Sequence, residues 1–169
     1  MSKIILLAAD AEHDALEAAR AARDLCAAGD RILVLHVHEF AVGRFGRLQV
    51  DCGAGEGEHV VASLAASLRD SGIAADSEIR EARVGHVARA ILAAADDIGA
   101  AAIVVGSAGR HDLPLIPLGS VSHKLLHLAQ RPVMVVPRGA TGAAGQDAAR
   151  QAHAEPATAG PSATEPVPG

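Results

Sequence analysis

This sequence predicts an α/β fold, a single-domain open twisted parallel sheet of five strands with helices on both faces. Three observations carry that prediction. Short apolar runs alternate with amphipathic stretches in the order β-α-β-α-β-α-β-α-β, which favours right-handed crossovers and a parallel sheet. The chain holds no Trp, no Tyr and two Phe in 169 residues, so the core falls to Leu, Ile, Val and Ala, the usual filling of strands buried on both faces. Glycines stand where the helical patterns stop.

Each element follows from its own pattern. Residues 3–9 are a buried strand. Residues 11–28 are a helix with Leu16, Ala19, Ala22, Leu25 and Cys26 on one face, stopped by Gly29. Residues 32–37 form the second strand. Residues 39–57 are a Gly-rich connection holding Phe40 and Phe45, expected to be the loosest part of the domain. A helix follows to about Asp70, with Val61, Leu64, Ala65 and Leu68 inward and Gly72 at its end. Residues 75–83 are a third, weaker strand. Residues 86–98 are a helix with Val87, Ile91, Ala94 and Ile98 aligned. Residues 101–105 are a strand, 119–129 a helix, and 133–136 the last strand, between Pro132 and Pro137. The domain is thus 1–138. From 139 to 169 the chain is mostly Ala, Gly, Pro, Thr and Ser, and it cannot build a core; it reads as a disordered tail.

Composition narrows the function. A net charge of −5 argues against a nucleic-acid role. The apolar start is charged again at Asp10, too short for a signal peptide or a membrane span. Cys26 and Cys52 make neither a disulfide framework nor a metal motif, so a reducing cytoplasm is the expected setting.

The chemistry concentrates in one run. Ile103-Val104-Val105 leads into Gly106-Ser107-Ala108-Gly109; nine residues later Gly119-Ser120-Val121-Ser122 opens a helix. Glycines let a backbone approach an anion, and the first N–H groups of a helix bind one. The run lacks the P-loop lysine and is not the tight dinucleotide turn. In open parallel sheets, ligands sit at strand carboxyl ends where the strand order reverses. If the first and fourth strands are neighbours there, Asp10 faces Gly106 and Gly109. Asp10 then meets a ribose hydroxyl or a phosphate-bound metal, or caps the first helix, roles that are compatible.

The pattern G-x-x-G, nine residues, G-S, then Pro132-Val-Met-Val-Val-Pro137, resembles the nucleotide-binding branch of the universal stress protein family. The start from Lys3 to Asp10 and the segment Leu35-His36-Val37 are similar to it as well. The resemblance covers about residues 1–138 and implies strand order 3-2-1-4-5. It also implies ATP binding, with Mg held through the nucleotide. Asp10 would lie by the ribose and metal, and Val37 by the adenine. Val105, Gly106 and Gly109 would line the ribose and phosphate loop, and Gly119, Ser120, Val121 and Ser122 would hold the phosphates. Arg110 either reaches a phosphate oxygen or faces solvent.

Other residues offer less. His36 and His38 flank Val37 at a strand end, as ordinary strand-end histidines or as neighbours of the base. His123 and His127 are four apart on the last helix, as a metal pair or a solvated face, with Lys124 beside them and no third ligand evident. No catalytic triad stands out, and ATP turnover is expected to be slow at most. The expected function is an ATP-binding stress-response regulatory module with an unidentified protein partner. The alternatives are a weak ATPase or other nucleotide-using enzyme, and a homologue without nucleotide. The uncharged edge strand 133–136 predicts a homodimer through its own copy.

Overall fold

The computed structural model describes residues 2–10, 15–44, 46–50, 55–107 and 118–137. The tail expected from 139 onward lies outside the described residues. Strand β1 (Ile4–Ala8) leads to helix α1 (Ala15–Asp24) and then to β2 (Arg31–Gly43). A short β3 (Gly46–Gln49) precedes α2 (Glu56–Asp70) and β4 (Ala74–Arg83). The chain continues with α3 (Val87–Asp97), β5 (Ala102–Gly106), α4 (Ser120–Leu128) and β6 (Val133–Val136).

Five strands lie parallel in the order β4-β2-β1-β5-β6. In order of appearance among the five expected strands, this is 3-2-1-4-5. The sixth strand, β3, was not expected. It runs antiparallel to the far end of β2, with Phe40 opposite Gln49 and Gly43 opposite Gly46. The glycine-rich segment 39–57 is therefore a loop only in part. Its first residues prolong β2, and the Arg47 guanidinium holds the hairpin by lying 3.8 Å over the Phe40 ring and pairing with Glu81 at 2.6 Å.

The edge that β3 occupies follows from strand parity. The Ala9 N–H donates to the Leu35 carbonyl, and the Val50 N–H donates to the Glu39 carbonyl. Successive residues of a strand point their bonding groups to alternate edges, so residues 35 and 39 share one. Hence β3 lies on the same edge of β2 as β1, beyond the point where β1 ends.

Two apolar layers sandwich the sheet. On one side α1 and α2 pack on Ile5, Leu7, Ile32, Val34 and Val104. On the other, α3 and α4 pack on Leu6, Leu35, Val37, Ile103 and Val105. Helix α2 buries Val61, Leu64, Ala65 and Leu68 as its spacing predicts, and Gly72 turns the chain out of it at φ +84°. Helix α1 departs from expectation. Its buried face is Ala15, Ala18, Ala19 and Ala22, while Leu16 and Leu25 are exposed. The branched side chains of the sheet already fill the space below it, so the helix settles closest with its alanines inward. Arg131 ties the start of β6 to the end of α3, donating to the Ala95 carbonyl at 2.9 Å and pairing with Asp96.

Candidate functional site

The site begins with a row of strand residues. Leu35 of β2 pairs with Ala8 of β1, Ala8 with Val105 of β5, and Val105 with Val135 of β6. Each strand then ends or diverges, and two residues beyond this row stand Val37, Asp10 and Ser107. The helix after β1 lies on one face of the sheet and the helix after β5 on the other. The strand order thus reverses between β1 and β5, the position where such sheets open a crevice. Asp10 is exposed at this mouth.

Beside it, β5 meets the start of α4. The Ser107 N–H donates to the Val136 carbonyl at 2.8 Å, so β5 and β6 finish together. The chain leaves at Ser107 and returns at Gly119, whose N–H donates to the Ser107 carbonyl at 2.6 Å. Ser122 is buried, and its hydroxyl donates to the Gly106 carbonyl at 2.7 Å. These two bonds seat the first turn of α4 against the end of β5. The first intrahelical bond runs from the His123 N–H to the Gly119 carbonyl. The N–H groups of Ser120, Val121 and Ser122 therefore precede the helical ladder and point out of its amino end. The first turn carries no acidic residue, so the helix dipole is not offset there.

The described residues refine the expected roles. Gly119 spends its own N–H on Ser107, and Ser122 spends its hydroxyl on Gly106. The donors that remain at this end are the three N–H groups of residues 120–122 and the hydroxyl of the exposed Ser120. Val105 is buried in the sheet layer on the α3/α4 side, as is Val37. By the same parity that places β3, the Val37 N–H and carbonyl face the stretch of β2 edge between the end of β1 and β3. Gly109 and Arg110 lie outside the described residues.

His36 and His38 are not strand-end residues in solvent. Both are buried on the α1/α2 side, opposite Val37, with ring centroids 4.8 Å apart. His36 Nδ1 lies 3.0 Å from the Ala9 carbonyl. His38 Nε2 lies 3.2 Å from Glu58 Oε1, and Gln49 Nε2 lies 3.2 Å from His38 Nδ1. Glu58 titrates below the usual carboxylate range, first through its own backbone N–H and then through His38. Helix α2 approaches these rings at Gly57, where a Cβ would come within 2.4 Å of His36 Cδ2. No local sequence pattern marks this approach, because the histidines that Gly57 meets lie on β2, about twenty residues away. Among the described residues, no group of three or more His, Cys, Asp and Glu is placed to hold a metal, and no helix is long and apolar enough to cross a membrane.

Comparison with known proteins now has a geometry to meet. The model of the universal stress protein family matches residues 1–137. A protein of that family from Burkholderia pseudomallei is 28% identical over 80% of this chain and 96% of its own, with a TM-score of 0.59. A universal stress protein from Archaeoglobus fulgidus is 22% identical over 80% of this chain and 99% of its own, with a TM-score of 0.61. The universal stress protein from Archaeoglobus fulgidus solved in complex with dAMP is 21% identical over 79% of this chain and 97% of its own, with a TM-score of 0.57. No curated protein gives a significant match.

Proposed function

The chain belongs to the universal stress protein family, and from that premise we propose that it is an adenine-nucleotide-binding regulatory module, cytoplasmic and dimeric, that takes ATP with Mg at the mouth between β1, β5 and α4. One observation carries this reading: the β5–α4 connection closes at Ser107 and Gly119 so that three helix-start N–H groups stand beside the carboxylate-bearing end of β1. Phosphate groups suit those N–H donors. The donor–acceptor pair of Val37 on the open β2 edge suits the hydrogen-bonding edge of adenine. Asp10 is a hard oxygen donor at the exposed mouth, which fits a Mg ion held mainly by phosphates and water; when bound, the ion would neutralise phosphate charge. The dAMP found with an Archaeoglobus fulgidus relative supports the choice of an adenine nucleotide.

Regulation rather than turnover is favoured by the glycine run itself, in which no P-loop lysine stands. Dimerisation is favoured by β6, the outermost strand beyond β5, whose Met134 is exposed. A monomeric mass at micromolar concentration would overturn that part.

The test of the site is calorimetry with ATP and Mg on wild type and Gly119→Asp. A carboxylate at the mouth of α4 repels phosphate and blocks backbone approach, so binding is expected to be nearly abolished while the melting curve stays cooperative. Unchanged ATP affinity in the folded variant removes the site, and absence of binding in wild type removes the nucleotide reading altogether.

A further inference from the structure

We propose that His123 and His127 form a two-point binding site for a divalent transition-metal ion on the outer face of α4. The proposal is independent of the nucleotide reading and uses none of its groups.

Both side chains are exposed, one helical turn apart. Their Nε2 atoms stand 3.3 Å from each other, with ring centroids 4.6 Å apart and planes inclined at 63°. That separation is informative. Two imidazole nitrogens at about 2.0–2.1 Å from an ion lie roughly 2.9 Å apart at a right-angle site and roughly 3.3–3.4 Å apart at a tetrahedral one. The pair already holds the spacing of two adjacent metal ligands, and small rotations of the rings turn both lone pairs to a common point. With neutral imidazoles, one Nε2–H donates to the other's lone pair, and an ion takes that place once the donor ring shifts its proton to Nδ1.

Lys124 does not oppose this. Its ammonium donates to the Gly85 carbonyl at 3.1 Å, on the side of α4 that meets the turn before α3. No other two histidines among the nine in the chain are four apart. The ligand class follows from the donors: imidazole selects Cu²⁺, Ni²⁺ and Zn²⁺ over Mg²⁺ and Ca²⁺. With two protein ligands and the remaining positions taken by water, the ion is exchangeable rather than structural.

The probe is NiCl₂, titrated calorimetrically into the full chain in a non-chelating buffer. Wild type is expected to bind one Ni²⁺. His123→Gln and His127→Gln should each weaken it about a hundredfold, because the second ligation is intramolecular and its effective concentration is lost. The double variant His59→Gln/His86→Gln, which removes two exposed histidines without an i+4 partner, should bind as wild type does. Glutamine is a good helix former, and circular dichroism confirms that α4 is retained. Wild type that takes up no Ni²⁺, or a single variant at 123 or 127 that binds as wild type does, overturns the site.

Discussion

Two aspartates flank β1, one at each end, and they live in opposite conditions. Asp30, at the amino end of β2, is 6% exposed, and its carboxylate accepts the N–H of Lys3 at 2.8 Å and of Ala27 at 2.9 Å. Those bonds, the Lys3 bond first, hold its carboxyl below the usual carboxylate range. Around it the backbone is knitted further, with the Arg31 N–H on the Lys3 carbonyl and the Ala101 N–H on the Ile4 carbonyl. Asp10, past the carboxyl end of β1, is exposed at the mouth beside Ser107. Where the strands begin, a buried carboxylate bonds the neighbouring backbone; where β1 ends, the carboxylate is exposed. A buried carboxylate bonded to backbone donors serves the fold, whereas an exposed one at a reversal in strand order lies where a ligand can reach it.

The largest effect that would sharpen this contrast is expected at the open end. Ser120→Ala removes one hydroxyl at the phosphate end of α4 and should weaken ATP roughly ten- to a hundredfold, the worth of one hydrogen bond to a charged group. Calorimetry reads this, and an unchanged affinity would confine phosphate contacts to the backbone N–H groups. Asp10→Ala and Asp30→Ala should then divide cleanly. The first should lower ATP affinity severalfold, with a smaller fall in Tm than the second. The second should lower Tm by several degrees, because two backbone N–H groups lose their buried acceptor, while ATP affinity holds. If the two variants exchange these effects, the contrast between the ends is broken.

The smallest effect is in acid. A carboxyl depressed in the folded state contributes stability that is present above its unfolded pKa of about 3.9 and is lost as pH falls through the folded value. Wild type should therefore lose stability more steeply below about pH 4 than Asp30→Ala does. Chemical denaturation across that range is the measurement, and parallel curves would show that Asp30 titrates alike folded and unfolded.

Much of this architecture is legible in the chain itself. The strand at Ile4–Ala8, the inward face of α2 and the helix stop at Gly72 follow from local periodicity and a left-handed turn, whereas α1 ends at Asp24, short of the stop expected at Gly29. Less legible are the elements whose stability comes from distant residues. The β2–β3 hairpin rests on Arg47 reaching Phe40 and Glu81, a contact that no short window contains. The phase of α1 was misread because an Ala stripe and a mixed Leu/Ala stripe are both helical, and only the volume of the sheet side chains chooses between them. At the site, spacing brought out Asp10, Gly106 and Gly119–Ser122, which the fold assembles at one mouth. It could not show that the Ser122 hydroxyl is committed to Gly106, nor that His36 and His38 lie beneath Gly57.

The hairpin that occupies the same edge as β1 has a consequence for register. A strand slides along its neighbour only if the bonding edge ahead of it is empty. Ahead of β1 the edge of β2 offers the groups of Val37 and is then taken up by Val50 and β3. A forward slip of β1 by one repeat would bring Ala9 onto the Val37 groups, and a second would run into the hairpin at Glu39, so β3 limits how far β1 can shift along β2. Insertions lengthening the tip between Gly43 and Gly46 should be tolerated, while a two-residue insertion that lengthens β1 at Ala8 would cover the Val37 edge proposed for adenine.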